Sequence, residues 1–135
     1  MELNYRCASL DTNILIRLIM TDDKKQHQSA LNLILNGNDY YVDDYAVMET
    51  VYVLTKENYS RTDIAESILD LLSNNVFTYN QKFFMPVFER YLSHPSLSFN
   101  DCVLEARAEE KGAVPLWTFD RKFAHQSKTA RLLES

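Results

Sequence analysis

The sequence predicts an α/β protein, a three-layer α/β/α sandwich with a central, mainly parallel sheet of four to five strands. Short β-prone stretches alternate with longer segments of helical periodicity along all 135 residues. Turn and capping residues separate these segments, so each strand leads into helices that cross over to the next strand. The length and the 46% hydrophobic content suffice for one buried core. We therefore expect a single domain over residues 1–135.

Seven helices and five strands are predicted. The strands are short runs of β-compatible residues at 5–10, 40–42, 76–79, 114–117 and, as an edge strand, 130–133. The helices, predicted from apolar residues at helical spacing or from capping residues, span 14–20, 24–35, 43–56, 61–73, 82–92, 99–111 and 121–126. The order of these elements fits right-handed crossovers between parallel strands.

Local signals predict where several helices begin and end. Asp22 and Asp23 are capping residues of the second helix, and Ser98 caps the sixth. Gly112 is the predicted C-cap of that sixth helix. Pro86 makes the first turn of the fifth helix irregular, because proline lacks a backbone N–H group.

Composition excludes several classes of protein. Gly37 and Gly112 are the only glycines, which excludes the glycine-rich loops of dinucleotide-binding and phosphate-binding folds. Arg17 interrupts the longest apolar run and the N-terminus has no basic segment before an apolar one. We therefore expect no transmembrane helix, no signal peptide and a cytoplasmic protein. Cys7 and Cys102 are too few for a disulfide framework, and both are predicted to be buried.

Four acidic residues occupy comparable positions, where a strand leads into a helix: Asp11, Glu49, Asp101 and Asp120. In open α/β sheets, ligands bind at the edge formed by the carboxyl ends of the strands, so we expect these carboxylates to converge. Converging carboxylates repel one another, and a divalent cation relieves that repulsion. Taken alone, Asp101 is better explained as a capping residue, and Glu49 is equally well explained as a solvated residue of its helix.

Carboxylates with oxygen-only neighbours suit Mg²⁺ or Mn²⁺. Such ions orient a water and stabilise charge on a phosphodiester without a protein nucleophile. Asn13 and Thr118 each lie two residues from an acid and either orient a carboxylate or serve as turn and cap residues. The net charge of −5 argues against a nucleic-acid partner. Without the four acids, however, the net charge is 14 basic minus 15 acidic residues, or −1, and that argument against a nucleic-acid partner loses its force.

Several short motifs, in the order in which they occur along the chain, resemble those of a PIN domain. They are Asp11-Thr12-Asn13, Glu49, Phe99-Asn100-Asp101 followed by Ala106 and Ala108, and Pro115-Leu116 with Thr118-Phe119-Asp120. Within that family the chain is most similar to the VapC-type toxins of bacterial toxin–antitoxin pairs. The resemblance implies a Mg²⁺- or Mn²⁺-dependent endoribonuclease that acts on RNA, is usually a homodimer and is held inactive by a small antitoxin. It also implies metal-site acids at Asp11, Glu49, Asp101 and Asp120, supported by Asn13 and Thr118.

Two features depart from the family's pattern. Glu105 lies one turn after Asp101, where such chains commonly have a small residue. It either adds a fifth carboxylate to the site or, as we expect, is an exposed salt-bridging residue. The first strand contains Arg6 and Ser9 and is more polar than usual for the family, which weakens the toxin assignment more than the nuclease assignment.

Other functions remain open on the residues alone. An aspartyl-phosphate phosphotransferase needs a second acid two residues after the first, where this chain has Asn13. A receiver-like signalling domain needs adjacent acids after the first strand and a lysine after the last, and neither pattern is clear. A non-catalytic PIN-like binding domain is the third alternative, and the presence of all four acids disfavours it.

Aromatic and basic residues predict contacts with a second copy of the chain and with RNA. The large aromatic side chains exceed what a core of this size buries, which predicts a homodimer; they are Tyr40, Tyr41, Tyr45, Tyr52, Tyr59, Phe83, Phe84 and Phe88. Candidate phosphate contacts for RNA are Arg17, Lys56, Arg121, Lys122 and Lys128.

Overall fold

A computed structural model describes residues 7–134. The chain divides into two compact units, Met1–Asn80 and Gln81–Ser135. Within the described residues, seven helices and five strands follow one another in the predicted order. Every strand pairing in this part of the chain is parallel.

The first unit contains three strands and four helices. In chain order these are β1 (Cys7–Ser9), α1 (Thr12–Ile19), α2 (Lys24–Ile34), β2 (Asp39–Tyr41), α3 (Asp44–Lys56), α4 (Arg61–Leu72) and β3 (Phe77–Thr78). The sheet order is β1-β2-β3. Two helices connect each pair of neighbouring strands, which is the long crossover that parallel pairing requires. The carboxyl ends of the three strands therefore share one edge of this sheet.

Buried apolar side chains hold the helices of the first unit. Leu15 of α1, Val47 of α3 and Ile68 of α4 line one small apolar cleft. Tyr40 is buried in β2, and its hydroxyl donates to the carbonyl oxygen of Leu33 over 2.7 Å, so its polar atom is satisfied. Tertiary packing therefore stabilises α1, α3 and α4 in addition to their helix propensity.

The second unit contains three helices and two strands. In chain order these are α5 (Gln81–Ser93), α6 (Phe99–Glu110), β4 (Leu116–Thr118), α7 (Arg121–Gln126) and β5 (Ala130–Leu132). An aromatic cluster packs α5 against the start of α6. The Phe99 ring lies 4.9 Å from the ring of Phe88 and 5.3 Å from that of Tyr91, centroid to centroid. Such close aromatic packing stabilises beyond the area that it buries.

A network of charged and hydroxyl side chains ties α5 and α6 to the segment before β5. Arg90 donates from Nη1 to Oε1 of Glu105 over 2.9 Å, and from Nη2 to Glu109. Ser127 donates its hydroxyl to Oε2 of Glu105, and Thr129 donates to Glu109 over 2.8 Å. Glu105 is thus a salt-bridging residue as predicted. The prediction that it is exposed is wrong, because it is buried among these partners.

The same network sets the acidity of Glu109. Partial burial by itself raises the pKa of this carboxyl. Hydrogen bonds from Arg90 and Thr129, with the charges of Arg90 and Lys128, outweigh burial and lower the pKa below its ordinary value. Glu109 therefore remains ionised at a lower pH than an isolated glutamate and keeps its ion pair with Arg90 there.

The predicted fold class is confirmed, with the five strands arranged as a three-stranded and a two-stranded parallel sheet. Boundaries differ by one or two residues: β2 begins at Asp39, and Lys111 rather than Gly112 is the C-cap of α6. Helix α5 keeps its first turn and contains Pro86 in its interior. The predicted first strand, residues 5–10, corresponds to β1. Its first two residues, Tyr5 and Arg6, lie outside the described residues.

Two predictions about single residues need correction. Cys7 is exposed, and only Cys102 is buried as predicted. Asp23 caps α2, whereas Asp22 forms an ion pair with Arg17 over 3.0 Å and does not cap. Among the described helices, none has the length and apolar content that crossing a bilayer requires.

Candidate functional site

Asp11 lies where β1 leads into α1. It is the N-cap of α1, and its Oδ1 accepts from the backbone N–H of Thr12 over 2.7 Å. The side chain is exposed, whereas Leu10 and Thr12 on either side are buried. The backbone is thus held while the carboxylate stays accessible. Asn13 is exposed in the first turn, and its side chain has no hydrogen bond among the described residues.

Glu49 lies half-buried in α3, one turn after Tyr45. Hydrogen bonding to the Glu49 carboxylate, together with its negative charge, raises the pKa of the Tyr45 hydroxyl above its ordinary value. Glu49 is therefore not simply solvated on the polar side of its helix. Tyr45 was not predicted as a partner of Glu49, although an i, i+4 pair on a helix is a readable signal.

Further polar groups stand at the carboxyl edge of the three-stranded sheet. Asp43 follows β2 and caps α3, accepting from the backbone N–H of Tyr45 over 2.9 Å and from the hydroxyl of Tyr41 over 3.1 Å. That hydroxyl bond and the charges of Asp43 and Asp44 raise the pKa of Tyr41. Asn80 follows β3 and donates to Asp44 over 3.3 Å. These residues satisfy one another and serve as structure for this edge.

Asp101 is the third residue of α6 and part of a capping box. Its backbone N–H donates to the Ser98 hydroxyl over 3.1 Å, and its Oδ2 accepts from the Ser98 backbone N–H over 3.4 Å. The side chain is half-buried. The predicted capping role of Asp101 is therefore present, and it involves one of the two carboxylate oxygens.

Thr118 and Asp120 are brought together at the end of β4. The Thr118 hydroxyl oxygen accepts from the backbone N–H of Asp120 over 3.0 Å. Asp120 is the exposed N-cap of α7, and its Oδ1 accepts from the backbone N–H of Phe123 over 3.1 Å. Thr118 thus fixes the backbone of Asp120 and does not contact its carboxylate, so it supports the acid indirectly.

Three of the four predicted acids share one arrangement. Asp11, Asp101 and Asp120 each use one carboxylate oxygen at a helix N-terminus. The other oxygen of each has no hydrogen-bond partner among the described residues. A helix N-terminus favours a negatively charged side chain, so these aspartates are held as oriented carboxylates with an oxygen open to a ligand.

Comparison with known proteins identifies the family. The PIN domain family matches residues 8–128. The chain belongs to the PIN-domain family. It is also 25% identical over 118 residues to a VapC ribonuclease from Aquifex aeolicus (strain VF5), with 84% of this chain and 87% of that protein covered. The resemblance stated from the sequence is therefore confirmed.

The PIN-domain match includes every predicted site residue, since Asp11 and Asp120 both lie within 8–128. The metal that the resemblance implies is Mg²⁺ or Mn²⁺, and both ions prefer carboxylate oxygens. The open oxygens of Asp11, Asp101 and Asp120 fit that preference. Inside either unit, however, the described side chains include no group of three His, Cys, Asp or Glu residues placed to hold a metal ion.

Proposed function

We propose that this PIN-domain protein is a Mg²⁺- or Mn²⁺-dependent endoribonuclease, the VapC-type toxin of a toxin–antitoxin pair, acting in the cytoplasm. The observation that carries the proposal is the PIN-domain match over residues 8–128, joined by the relative named a VapC ribonuclease. Because this match runs through both units, it also supports their acting as one domain.

We assign the metal-binding acids as Asp11, Glu49, Asp101 and Asp120. When bound, Mg²⁺ or Mn²⁺ supplies positive charge beside the phosphodiester that water attacks. The chain's own contribution is orientation: backbone N–H groups hold three of the acids at helix N-termini, and Tyr45 lies one turn before Glu49 in α3. Thr118 fixes the backbone of Asp120, and Asn13 offers a polar side chain next to Asp11. Oriented carboxylates need little rearrangement when substrate arrives.

Cleavage of RNA in the presence of each ion tests the activity directly. Purified protein should cut a mixed single-stranded RNA in Mn²⁺ or Mg²⁺ and leave a DNA of matching sequence intact. Excess chelator should abolish the cleavage, because the carboxylates alone cannot neutralise charge on the phosphodiester. Cleavage that persists in chelator, or its absence with both ions, would contradict the proposal.

The main alternative is a PIN-like domain without catalysis that acts only by binding other proteins. Calorimetric titration with Mn²⁺ separates the two, because four carboxylates that form a site bind the ion, whereas carboxylates that only cap helices do not. We expect heat of binding that disappears in the Asp11→Asn variant. A flat titration of the wild-type protein would favour the non-catalytic alternative.

We further propose a homodimer that binds a small antitoxin protein. Exposed Tyr41, Tyr45 and Tyr52 support an interface, although Tyr40 and the predicted phenylalanines are buried. Light scattering at tens of micromolar should give twice the 15.8 kDa chain mass. Addition of the protein encoded by the neighbouring reading frame should raise that mass and stop RNA cleavage. A monomer mass in light scattering would contradict the homodimer. A mass that stays unchanged when the second protein is added would contradict the antitoxin assignment.

A further inference from the structure

A groove of about 520 Å³ lies in the second unit along α7 and β5. This volume falls within the roughly 300–1,000 Å³ usual for ligand sites. Its lining is basic and apolar, and it consists of Arg121, Ala124, His125, Ala130, Arg131 and Leu132. No acidic residue is among them. The groove therefore suits a negatively charged ligand.

Within residues 7–134, the basic side chains of this groove have no counter-charge. Among the described residues, the side chains of Arg121, His125 and Arg131 make no hydrogen bond and no ion pair. Other arginines of the chain do pair with acids over about 3 Å; examples are Arg17 with Asp22, Arg90 with Glu105 and Arg107 with Glu110. In a protein with 19 acidic residues, three neighbouring basic groups without an acid partner in the described part of the chain indicate an external anion.

The fold presents these groups together. Arg121 and His125 are four residues apart in α7 and lie on one face of that helix. Arg131 is the central residue of β5, and α7 packs against this strand. The Ser127 hydroxyl accepts from the backbone N–H groups of Thr129 and Ala130, which fixes the turn between α7 and β5. The three basic groups are thus held on structured backbone.

An exposed tryptophan adjoins the groove. Trp117 of β4 is paired in register with Arg131 of β5, and it is 61% exposed. Arginine guanidinium groups match phosphate oxygens in geometry and charge. Exposed aromatic rings beside such groups allow bases of a single strand to stack, a combination typical of proteins that bind single-stranded nucleic acid.

We propose that Arg121, His125 and Arg131 bind phosphate groups of single-stranded RNA, with Trp117 as a stacking platform for a base. This inference rests on the proposed function and names where the substrate strand is held. It also adds Arg131 and His125 to the phosphate contacts predicted from the sequence. Arg17 is instead paired with Asp22.

Fluorescence anisotropy with a labelled single-stranded RNA, in chelator to prevent cleavage, tests the groove. The Arg121→Gln/Arg131→Gln double variant should bind at least ~10-fold more weakly at low salt, because it loses two charged hydrogen-bonding contacts. The dependence of log affinity on log salt should become shallower by about 1.4, or 0.7 for each lost phosphate contact. Trp117→Ala should weaken binding about tenfold without changing that slope.

Lys82→Gln/Lys111→Gln is the matched control, since it removes the same charge from exposed positions of the same unit. It should leave affinity and salt slope unchanged. If wild-type protein cleaves RNA but the double arginine variant binds as tightly as its parent, the groove proposal fails and the nuclease proposal stands. If the groove variants lose binding but wild-type protein never cleaves, the groove stands and the nuclease proposal fails. If the protein binds poly-glutamate through these arginines and does not bind RNA, the RNA proposal for the groove is overturned. The ligand of the groove is then an acidic protein segment.

Discussion

The Asp101→Asn variant should unfold at nearly the wild-type temperature and cleave RNA in Mn²⁺ at least ~100-fold more slowly, the scale expected when a group that supports a metal is lost. The capping box explains the unchanged stability, because an asparagine oxygen accepts from the Ser98 backbone N–H as the carboxylate does. Ser98 remains the N-cap, and the lost interaction of the charge with the helix dipole is worth less than ~1 kcal/mol, so the free energy of unfolding should change by less than that. What is lost is the negative charge and the open oxygen.

Helix α4 offers a matched control for this variant. Asp63 is the third residue of α4, and its backbone N–H donates to the Ser60 hydroxyl over 3.0 Å, as that of Asp101 does to Ser98. Asp63→Asn should therefore leave both stability and cleavage nearly unchanged. Asp11→Asn and Asp120→Asn should behave like Asp101→Asn, since both retain a good N-cap. An Asp101→Asn protein as active as its parent would refute the assignment of Asp101 to the metal.

Helix ends were predictable where the signal is local. Helix α7 has its predicted bounds, Arg121–Gln126, because Asp120 caps it through the N–H of Phe123 and both groups lie within one turn. Strand β2 lies one residue earlier in the chain than predicted, because the ends of a three-residue strand are set by its pairing with β1 and β3. Its register, Cys7 opposite Asp39, depends on a residue 32 positions earlier, which local patterns do not contain.

The candidate site was defined by residue types whose roles the sequence leaves ambiguous. Helix caps and metal sites both use aspartate, so the sequence alone could not separate the two roles of Asp101. The structure has the cap on Oδ2 and leaves the second oxygen unpartnered among the described residues, which makes the two roles compatible. Arg131 was missed because the groove depends on the packing of α7 against β5, and no spacing in the sequence records that packing.

Glu105 was placed wrongly because its partners are distant in sequence. The i, i+4 rule considers neighbours within its own helix, where an exposed ion pair is the usual outcome. The actual partners are Arg90, 15 residues earlier, and Ser127, 22 residues later. Both carboxylate oxygens are thereby occupied, which argues against Glu105 as a fifth acid of the site. Its role is then one of stability, and that role is measurable.

Glu105→Ala should lower the free energy of unfolding by about 3 kcal/mol, the lower end of the range for breaking a buried ion pair. The lower end applies because the Arg90 side chain is 27% exposed and keeps Glu109 as a second partner. Loss of the carboxylate also leaves the Ser127 hydroxyl without its acceptor. Urea unfolding of wild type and variant, followed by circular dichroism, measures the difference.

The exposed pair of Arg107 and Glu110 provides the comparison. Its side chains are 36% and 46% exposed, so Glu110→Ala should cost less than ~1 kcal/mol. A double-mutant cycle between Arg90→Ala and Glu105→Ala should give a coupling energy above ~1 kcal/mol, because the two side chains are in direct contact. If Glu105→Ala costs no more than Glu110→Ala, then Glu105 behaves as the exposed salt-bridging residue that the sequence predicted, and the network around Ser127 does not hold β5 in place.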